Sequence, residues 1–131
     1  MRLAELSGQL GYAATPEQVH RRLQLIKRGA EHEVWVAEAA AGEVLGWIEV
    51  LLERTLISDR EAEITGLVVD ASCRGQGIGR RLMEEAEQWA RDKGCRSVRL
   101  RSNVVRAEAH AFYERLGYSV FKTQKNYRKM L

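Results

Sequence analysis

The feature that most constrains this sequence is a glycine-rich loop between a strand-like segment and a long helix-like segment. Gly75, Gly77 and Gly79 occupy alternate positions, after the apolar run 67–69 and around the start of an apolar helical stripe at Ile78. Glycines leave backbone N–H groups uncovered, and a helix N-terminus adds partial positive charge. The flanking cations are Arg74, Arg80 and Arg81. A plain tight turn would explain one glycine, whereas this arrangement predicts a phosphate-binding loop.

The glycine spacing does not match the common nucleotide motifs. A dinucleotide-binding Gly-x-Gly-x-x-Gly pattern that starts at Gly75 needs a third glycine where the chain has Arg80. A Walker loop needs Lys followed by Ser or Thr after Gly79, and two arginines stand there instead. The loop therefore predicts a phosphate-bearing ligand that is bound in another way.

Length and composition predict one domain over residues 1–131. The chain has 131 residues, 45% of them hydrophobic and 30% charged, which is enough for one core but not for two. No apolar run approaches the roughly 20 residues that cross a bilayer, and the polar opening does not resemble a secretory signal. Cys73 and Cys95 form neither a zinc motif nor a disulfide framework. We therefore expect a cytoplasmic protein with free thiols, no metal and no membrane contact.

Charge is distributed unevenly along the chain. Residues 1–65 contain 7 basic and 11 acidic side chains, whereas residues 66–131 contain 14 basic and 7 acidic ones. Sixteen of the 21 basic residues are arginine, whose guanidinium group matches phosphate oxygens well. An anionic ligand is therefore expected in the C-terminal half.

Apolar periodicity and turn residues predict the order of helices and strands. Thr15 and Pro16 form a helix start, and Gly66 within a strand-like run indicates a bulge or a close approach by another group. The predicted elements are a weak first helix around residues 3–10, a helix at 15–28, a hairpin at 33–38 and 44–51, a strand at 62–69, a helix at 77–93, a strand at 97–101, a helix at 106–116, and two short strands around Val120 and Tyr127. This order predicts an α/β fold, an α+β sandwich in which helices flank a mixed, mostly antiparallel sheet.

Two motifs in this order resemble those of one enzyme family. The spacing Arg74-x-x-Gly77-x-Gly79 resembles the Arg/Gln-x-x-Gly-x-Gly/Ala signature of the GNAT superfamily of acyl-CoA-dependent N-acetyltransferases. The segment 106–118 resembles the family's later motif, a helix with a tyrosine shortly before Leu-Gly-Tyr/Phe. The similarity covers residues 33–131, and the family's first strand is absent. Either the sheet lacks that edge strand or a partner, such as a second copy in a homodimer, supplies something there.

The resemblance implies acetyl-CoA as the cosubstrate. Its pyrophosphate would lie on the amides of residues 76–80, and its pantetheine arm would lie between the strand at 67–69 and the strand at 97–101, bonded to the first strand's backbone. Asn103 or Arg106 would line the outer side of this groove, although the family's Asn lies four residues before the motif alanine and Asn103 lies six before it. The implied cofactor-binding residues are Leu67, Val68, Val69, Arg74, Gly75, Gln76, Gly77, Ile78, Gly79, Arg80, Asn103 and Arg106.

The resemblance also implies catalytic roles. Tyr113 would stand near the thioester sulfur as the general acid that protonates the leaving thiolate. The candidates for the base that takes a proton from the attacking amine are Glu61 and Glu63 at the start of a strand, followed by His110. We select Glu63 from these three.

The implied function is an N-acetyltransferase that moves acetyl from acetyl-CoA to a primary amine by direct attack in a ternary complex. The acidic N-terminal half favours a cationic acceptor, either a small molecule or an amino terminus. The sequence Arg-x-x-Ala-His-x-Phe-Tyr also resembles a subgroup that includes aminoglycoside 6-prime acetyltransferases. A non-catalytic acyl-CoA-binding sensor stays open as an alternative. A basic nucleic-acid-binding module is permitted by the pI of about 9.1, but its arginines do not interleave with aromatic residues.

Overall fold

The computed structural model describes residues 2–102 and 107–131, which form two compact units that divide after Arg101. The first unit contains a sheet and three helices, and the second contains one helix. The elements are α1 (Arg2–Leu10), α2 (Pro16–Lys27), β1 (His32–Glu38), β2 (Val44–Glu53), β3 (Glu61–Val69), a 3-10 turn (Ala71–Cys73), α3 (Ile78–Asp92), β4 (Val98–Leu100) and α4 (Ala107–Arg115). In the described part of the chain, no helix is both long and apolar enough to cross a bilayer.

The sheet has the strand order β1-β2-β3-β4. The first two neighbouring pairs are antiparallel, and β3 and β4 are parallel, so the prediction of a mixed, mostly antiparallel sheet is confirmed. A Cβ built at Gly46 would point at Leu82 of α3, whereas one built at Gly66 would point toward Leu10 of α1. Helices α1 and α3 therefore cover opposite faces of the sheet.

The face that α3 covers holds most of the core. Ile48 and Val50 follow Gly46 at alternate positions of β2, so they share its face, and both are fully buried. The predicted apolar stripe of α3 is confirmed, since Leu82 and Ala86 are buried on it. Burial of such side chains is the main favourable contribution to folding.

Local sequence explains where α2 begins. Thr15 is its N-cap residue: the Thr15 hydroxyl accepts from the Gln18 N–H at 3.2 Å, and the Thr15 N–H donates to the Gln18 side-chain oxygen at 2.9 Å. Pro16 occupies the first helical position, where no intrahelical N–H is needed. This reciprocal pair satisfies two otherwise unpaired donors and fixes the helix start.

A β-bulge interrupts β3 where Gly66 predicted it. The pairing of β3 with β2 shifts by one residue between Glu49 and Val50, which leaves Thr65 as the extra residue of β3. A Cβ on Gly66 would lie 2.7 Å from the ring of Trp47, so both parts of the prediction, a bulge and a close approach, are confirmed.

The second unit contains α4 and the C-terminal segment. Gly117, with φ at +95°, ends this helix, and the Tyr118 N–H donates to the Tyr113 carbonyl at 3.0 Å, as in a glycine-terminated helix. The prediction of strands around Val120 and Tyr127 is wrong, because residues 118–131 contain no helix or strand. A strand requires a paired neighbour, and strand-like composition alone does not supply one.

Gly46→Ala is expected to lower the free energy of unfolding by about 1–3 kcal/mol. Its Cβ would lie 2.7 Å from the Val68 backbone oxygen and 3.4 Å from a Leu82 methyl group, so the backbone would have to move. Gly8→Ala is the matched control, since a Cβ there meets nothing within 4 Å and the residue lies in α1. Alanine in that helix should stabilise the fold by roughly 0.5–1 kcal/mol. Urea unfolding measures both changes, and equal effects would contradict the close approach at Gly46.

Candidate active site

The glycine loop joins β3 to α3 through the 3-10 turn. Asp70 caps this turn, because its carboxylate accepts from the Ser72 N–H at 3.0 Å and from the Ser72 hydroxyl at 2.9 Å. Gly75 and Gly77 both have φ at +81°, in the left-handed region that favours glycine. The glycines are therefore required by the path of the backbone.

The start of α3 has backbone donors that find no acceptor among the described residues. Gly77 is its N-cap residue, and no side chain caps the helix. The first N–H to bond to the N-cap carbonyl is that of Arg81, at 3.1 Å, so the N–H groups of residues 78–80 have no acceptor within the helix. A Cβ at Gly75 or Gly77 would meet nothing within 4 Å, so the loop surface is open. These features fit an anion, and the binding of a pyrophosphate by the amides of residues 76–80 stays a prediction.

The edge of β3 that faces β4 is only partly paired. The two parallel strands pair over three residues and end with Ile64 opposite Leu100, whereas β3 pairs with β2 as far as Val69. Among the described residues, the stretch 65–69 therefore has no strand partner on this edge. The pairing of β3 with β4 thus ends at the residue before the bulge.

The bulge decides which backbone groups this open edge presents. Before the bulge, the Ala62 N–H donates to the Ser97 carbonyl at 3.2 Å. Because alternate residues of a strand point their backbone N–H and C=O groups to the same side, the even-numbered residues of β3 direct these groups to β4. After it, the Asp70 N–H donates to a β2 carbonyl at 2.7 Å, so the even-numbered residues now face β2. Leu67 and Val69 consequently direct their N–H and C=O groups to the open edge. These are the backbones predicted to bond pantetheine, and that binding stays a prediction.

Two of the loop arginines bond to different parts of the chain. The Arg74 Nε donates to the Val69 carbonyl at 3.3 Å, across the open edge. The Arg80 Nε lies 3.2 Å from the Glu84 carboxylate one turn along α3. Arg74 therefore occupies one of the two acceptor sites of the Val69 carbonyl, whereas Arg80 contributes its backbone N–H to the helix start.

Helix α1 is attached to the same loop. The Arg2 Nε donates to the Val44 carbonyl at 2.9 Å, and its guanidinium also pairs with the Asp70 carboxylate. The Ala71 N–H donates to the Gln9 side-chain oxygen at 2.9 Å. No local signal in the sequence indicates this role of Arg2, because its partner lies 68 positions away.

Glu63 is a buried carboxylate on β3. Its side chain is 9% exposed and lies 3.4 Å from the Arg101 guanidinium and 3.9 Å from that of Arg99, which also pairs with Glu53. Burial raises the pKa of Glu63, and the neighbouring Glu53 raises it further, while Arg101 and Arg99 oppose the shift. A carboxylate with a raised pKa can accept and return a proton nearer neutral pH.

The other predicted catalytic candidates lie elsewhere. Tyr113 and His110 are on α4 in the second unit, where the Tyr113 ring lies 5.2 Å from the Phe112 ring and 6.2 Å from the Tyr118 ring. Glu61 opens β3 and accepts from the Ser97 hydroxyl at 2.8 Å. Tyr113 and Glu63 therefore belong to separate units of the structure.

The remaining predicted residues have different positions. Val68 is buried, so it supports the strand and presents no side chain to a ligand, whereas Gln76 is exposed in the loop. Asn103 and Arg106 lie outside the described residues. Within residues 2–102 and 107–131, no cluster of three or more His, Cys, Asp or Glu residues could hold a metal ion.

The model of the Acetyltransferase (GNAT) family matches residues 3–118, and the chain belongs to this family. The family resemblance of the Arg74–Gly79 and 106–118 motifs and the predicted fold class are thereby confirmed.

Curated relatives are named for the acetylation of amines. The chain is 34% identical over 93 residues to aminoglycoside N(6')-acetyltransferase type 1 of Stenotrophomonas maltophilia, covering 68% of this chain and 61% of that protein. It is 36% identical over 98 residues to glucosamine 6-phosphate N-acetyltransferase 1 of Oryza sativa subsp. japonica, covering 72% and 58%. The chain thus spans less than two thirds of the length of these relatives.

Solved structures share the fold. Glucosamine-6-phosphate N-acetyltransferase from Arabidopsis thaliana superposes with a TM-score of 0.81 at 28% identity, over 95% of this chain and 87% of that one. An aminoglycoside N-acetyltransferase in complex with CoA superposes with a TM-score of 0.80 at 18% identity, over 88% of each chain. At 18% identity, the similarity to the aminoglycoside N-acetyltransferase concerns the fold alone.

Asp70→Asn is expected to lower the Tm above about pH 4 and to have little effect near pH 2. The hydrogen bond from the Ser72 N–H, followed by the one from Arg2, lowers the pKa of Asp70 to about 2. The ionised carboxylate therefore stabilises the fold at every pH above the ordinary pKa of an aspartate. This contribution is lost as the pH falls through the folded-state pKa. Thermal unfolding from pH 7 to pH 2 measures it, with the exposed Asp59→Asn as control. A Tm difference that is independent of pH would contradict the account.

Proposed function

We propose that residues 1–131 form one acetyltransferase domain that transfers acetyl from acetyl-CoA to a cationic primary amine. The observation that carries this proposal is that one loop joins an uncapped helix N-terminus to an open strand edge. Coenzyme A carries a pyrophosphate, which suits the helix N-terminus, and an arm with amide groups, which suits a strand edge. Few other ligands combine these two chemistries.

The geometry of the chain suggests how the cosubstrate is held. The amides of residues 76–80 bind the pyrophosphate, and the Leu67 and Val69 backbones bond to the pantetheine amides along the open edge. Arg74 leaves the Val69 carbonyl and pairs with a phosphate. The family resemblance assigns the outer side of this groove to Asn103 or Arg106, which lie outside the described residues.

The reaction is a direct transfer within a ternary complex. The neutral amine attacks the thioester carbonyl, a C–N bond forms, and the C–S bond breaks. Glu63 accepts the proton that the amine loses, through a water where the distance requires it, and Tyr113 donates a proton to the departing sulfur. No covalent intermediate with the protein is required.

Charge supports a cationic acceptor. Residues 1–65 contain 11 acidic and 7 basic side chains, so the N-terminal half as a whole is acidic. Negative potential concentrates cations, which favours amines that are protonated in solution. The names of the relatives, for an aminoglycoside and for glucosamine 6-phosphate, are consistent with small amine acceptors.

Two measurements on the purified chain test the proposal. Acetyl-CoA should raise the Tm because it binds only the folded state, whereas ATP and NAD should not. A screen of primary amines with a thiol-release readout should detect CoA production. Acetyl-CoA binding without thiol release for any amine would indicate the acyl-CoA sensor instead. If acetyl-CoA does not shift the Tm at millimolar concentration, the proposal is wrong.

Gly79→Asp is expected to abolish binding of CoA while keeping the fold. An acidic side chain in the first turn is favourable for a helix, so α3 should remain stable, but its charge repels the pyrophosphate. Gly79→Ala, which adds a methyl group without charge, is the control. Calorimetry measures the affinity, and an unchanged affinity in Gly79→Asp would show that the phosphates bind elsewhere.

Tyr113→Phe is expected to lower kcat by about a hundredfold or less, with the KM for acetyl-CoA nearly constant. A thiolate is a fairly good leaving group, so a proton donor helps it only moderately. The phenyl ring still fills the position of the tyrosine. Steady-state kinetics with a good acceptor measures the change, and a kcat within twofold of the parent, with chemistry rate-limiting, would assign Tyr113 to packing.

Glu63→Gln is expected to lower kcat and to remove the acidic limb of its pH profile. A base must be deprotonated, so the parent's kcat should rise with pH through the raised pKa of Glu63. Glu61 is the other candidate base on β3, and Glu61→Gln should leave both kcat and the acidic limb of the pH profile unchanged. If the two variants behave in the reverse way, Glu61 is the base.

A further inference from the structure

A pocket of about 390 Å³ lies in the first unit, between the sheet and helices α1 and α2. Apolar side chains from both helices and from two strands make up most of its wall. The ones that matter here are Leu10, Leu23, Ile26, Val34 and Trp47. A wall of this composition binds an apolar group better than a sugar with many hydroxyls, which would lose its hydrogen bonds to water.

The pocket reaches the bulge of β3. Thr65, the extra residue there, lines the pocket, and the open edge begins at the same residue. Leu67, whose backbone faces that edge, is two positions further along the strand. A molecule in the pocket therefore lies beside the place where the proposed pantetheine arm ends.

Of the described residues that line the pocket, one carries a carboxylate and one a guanidinium group. Glu49 stands opposite Gly66 in the ladder, on the face that α1 covers, and its carboxylate lies 4.0 Å from the His32 Nε2. Arg22 enters the lining from α2. One acid can hold one ammonium group, and Arg22, an exposed residue of the same lining, repels further positive charge.

We propose that this pocket binds the acceptor and selects a monoamine on an apolar body over polyamines and amino sugars. The inference rests on the proposed function. Glu49 holds the ammonium group before transfer, the apolar wall holds the body of the molecule, and Arg22 disfavours polycations. Phenylethylamine and the linear alkylamines are the simplest amines of this class.

An acceptor series tests this selectivity. The kcat/KM for phenylethylamine should be higher than the values for spermidine, kanamycin and glucosamine 6-phosphate. Among the linear alkylamines, kcat/KM should rise from butylamine to octylamine by roughly two- to fourfold per methylene. A flat alkylamine series, or a preference for spermidine or kanamycin, would overturn the inference and leave the acetyltransferase function intact.

The Glu49 variant tests the site itself. Glu49→Gln should raise the KM for phenylethylamine about tenfold or more, because a charged hydrogen bond is lost. Glu33→Gln removes the same charge from an exposed position of β1, next to Val34, and should leave that KM unchanged. An equal effect of both variants would show that only net charge matters and would overturn the assignment.

Calorimetry separates a failure of this inference from a failure of the proposed function. If no amine is acetylated, the proposed function is wrong, and titration of phenylethylamine into CoA-saturated protein still tests the pocket. Saturable binding that Glu49→Gln weakens supports the pocket assignment. Absence of binding overturns it.

Discussion

The bulge in β3 is the constraint on which the site depends. One extra residue, Thr65, reverses the direction in which the following backbone groups point, so that Leu67 and Val69 face the edge that β4 leaves open. In a regular strand, the N–H and C=O groups of Leu67 and Val69 would point toward β2 and form hydrogen bonds with it. Gly66 makes the bulge compatible with the Trp47 ring against it. The bulge thus decides that Leu67 and Val69, and not Gly66 and Val68, present their backbone groups at the open edge.

Contacts from distant parts of the chain hold this surface in place. Asp70 follows β3 directly, caps the next turn and pairs with Arg2 of α1, so the loop is fixed from two sides. Helix α1 also lines the pocket on its other flank through Leu10. The same helix therefore contributes to the anchoring of the proposed phosphate loop and to the wall of the proposed acceptor pocket.

The sequence correctly predicts those structural features that neighbouring residues determine. The cap at Thr15, the glycine loop and the irregularity at Gly66 each depend on residues within a few positions, and the structure contains all three elements. Glu63 is buried and lies beside two arginines because of the pairing between strands, and no local sequence pattern encodes that pairing. The strands expected near Val120 and Tyr127 are absent for the same reason, because strand-like composition does not determine a partner. The position of Glu49 in a pocket likewise follows from the register of β2, which the sequence leaves open.

The central claim is that coenzyme A binds along the open edge of β3 and at the start of α3. Backbone amide chemical shifts of the isotope-labelled protein, followed by NMR during titration with CoA, test it most directly. The account predicts that the largest changes fall on the amides of residues 76–80 and on those of Leu67 and Val69. Saturable CoA binding that leaves these amides unchanged would contradict it.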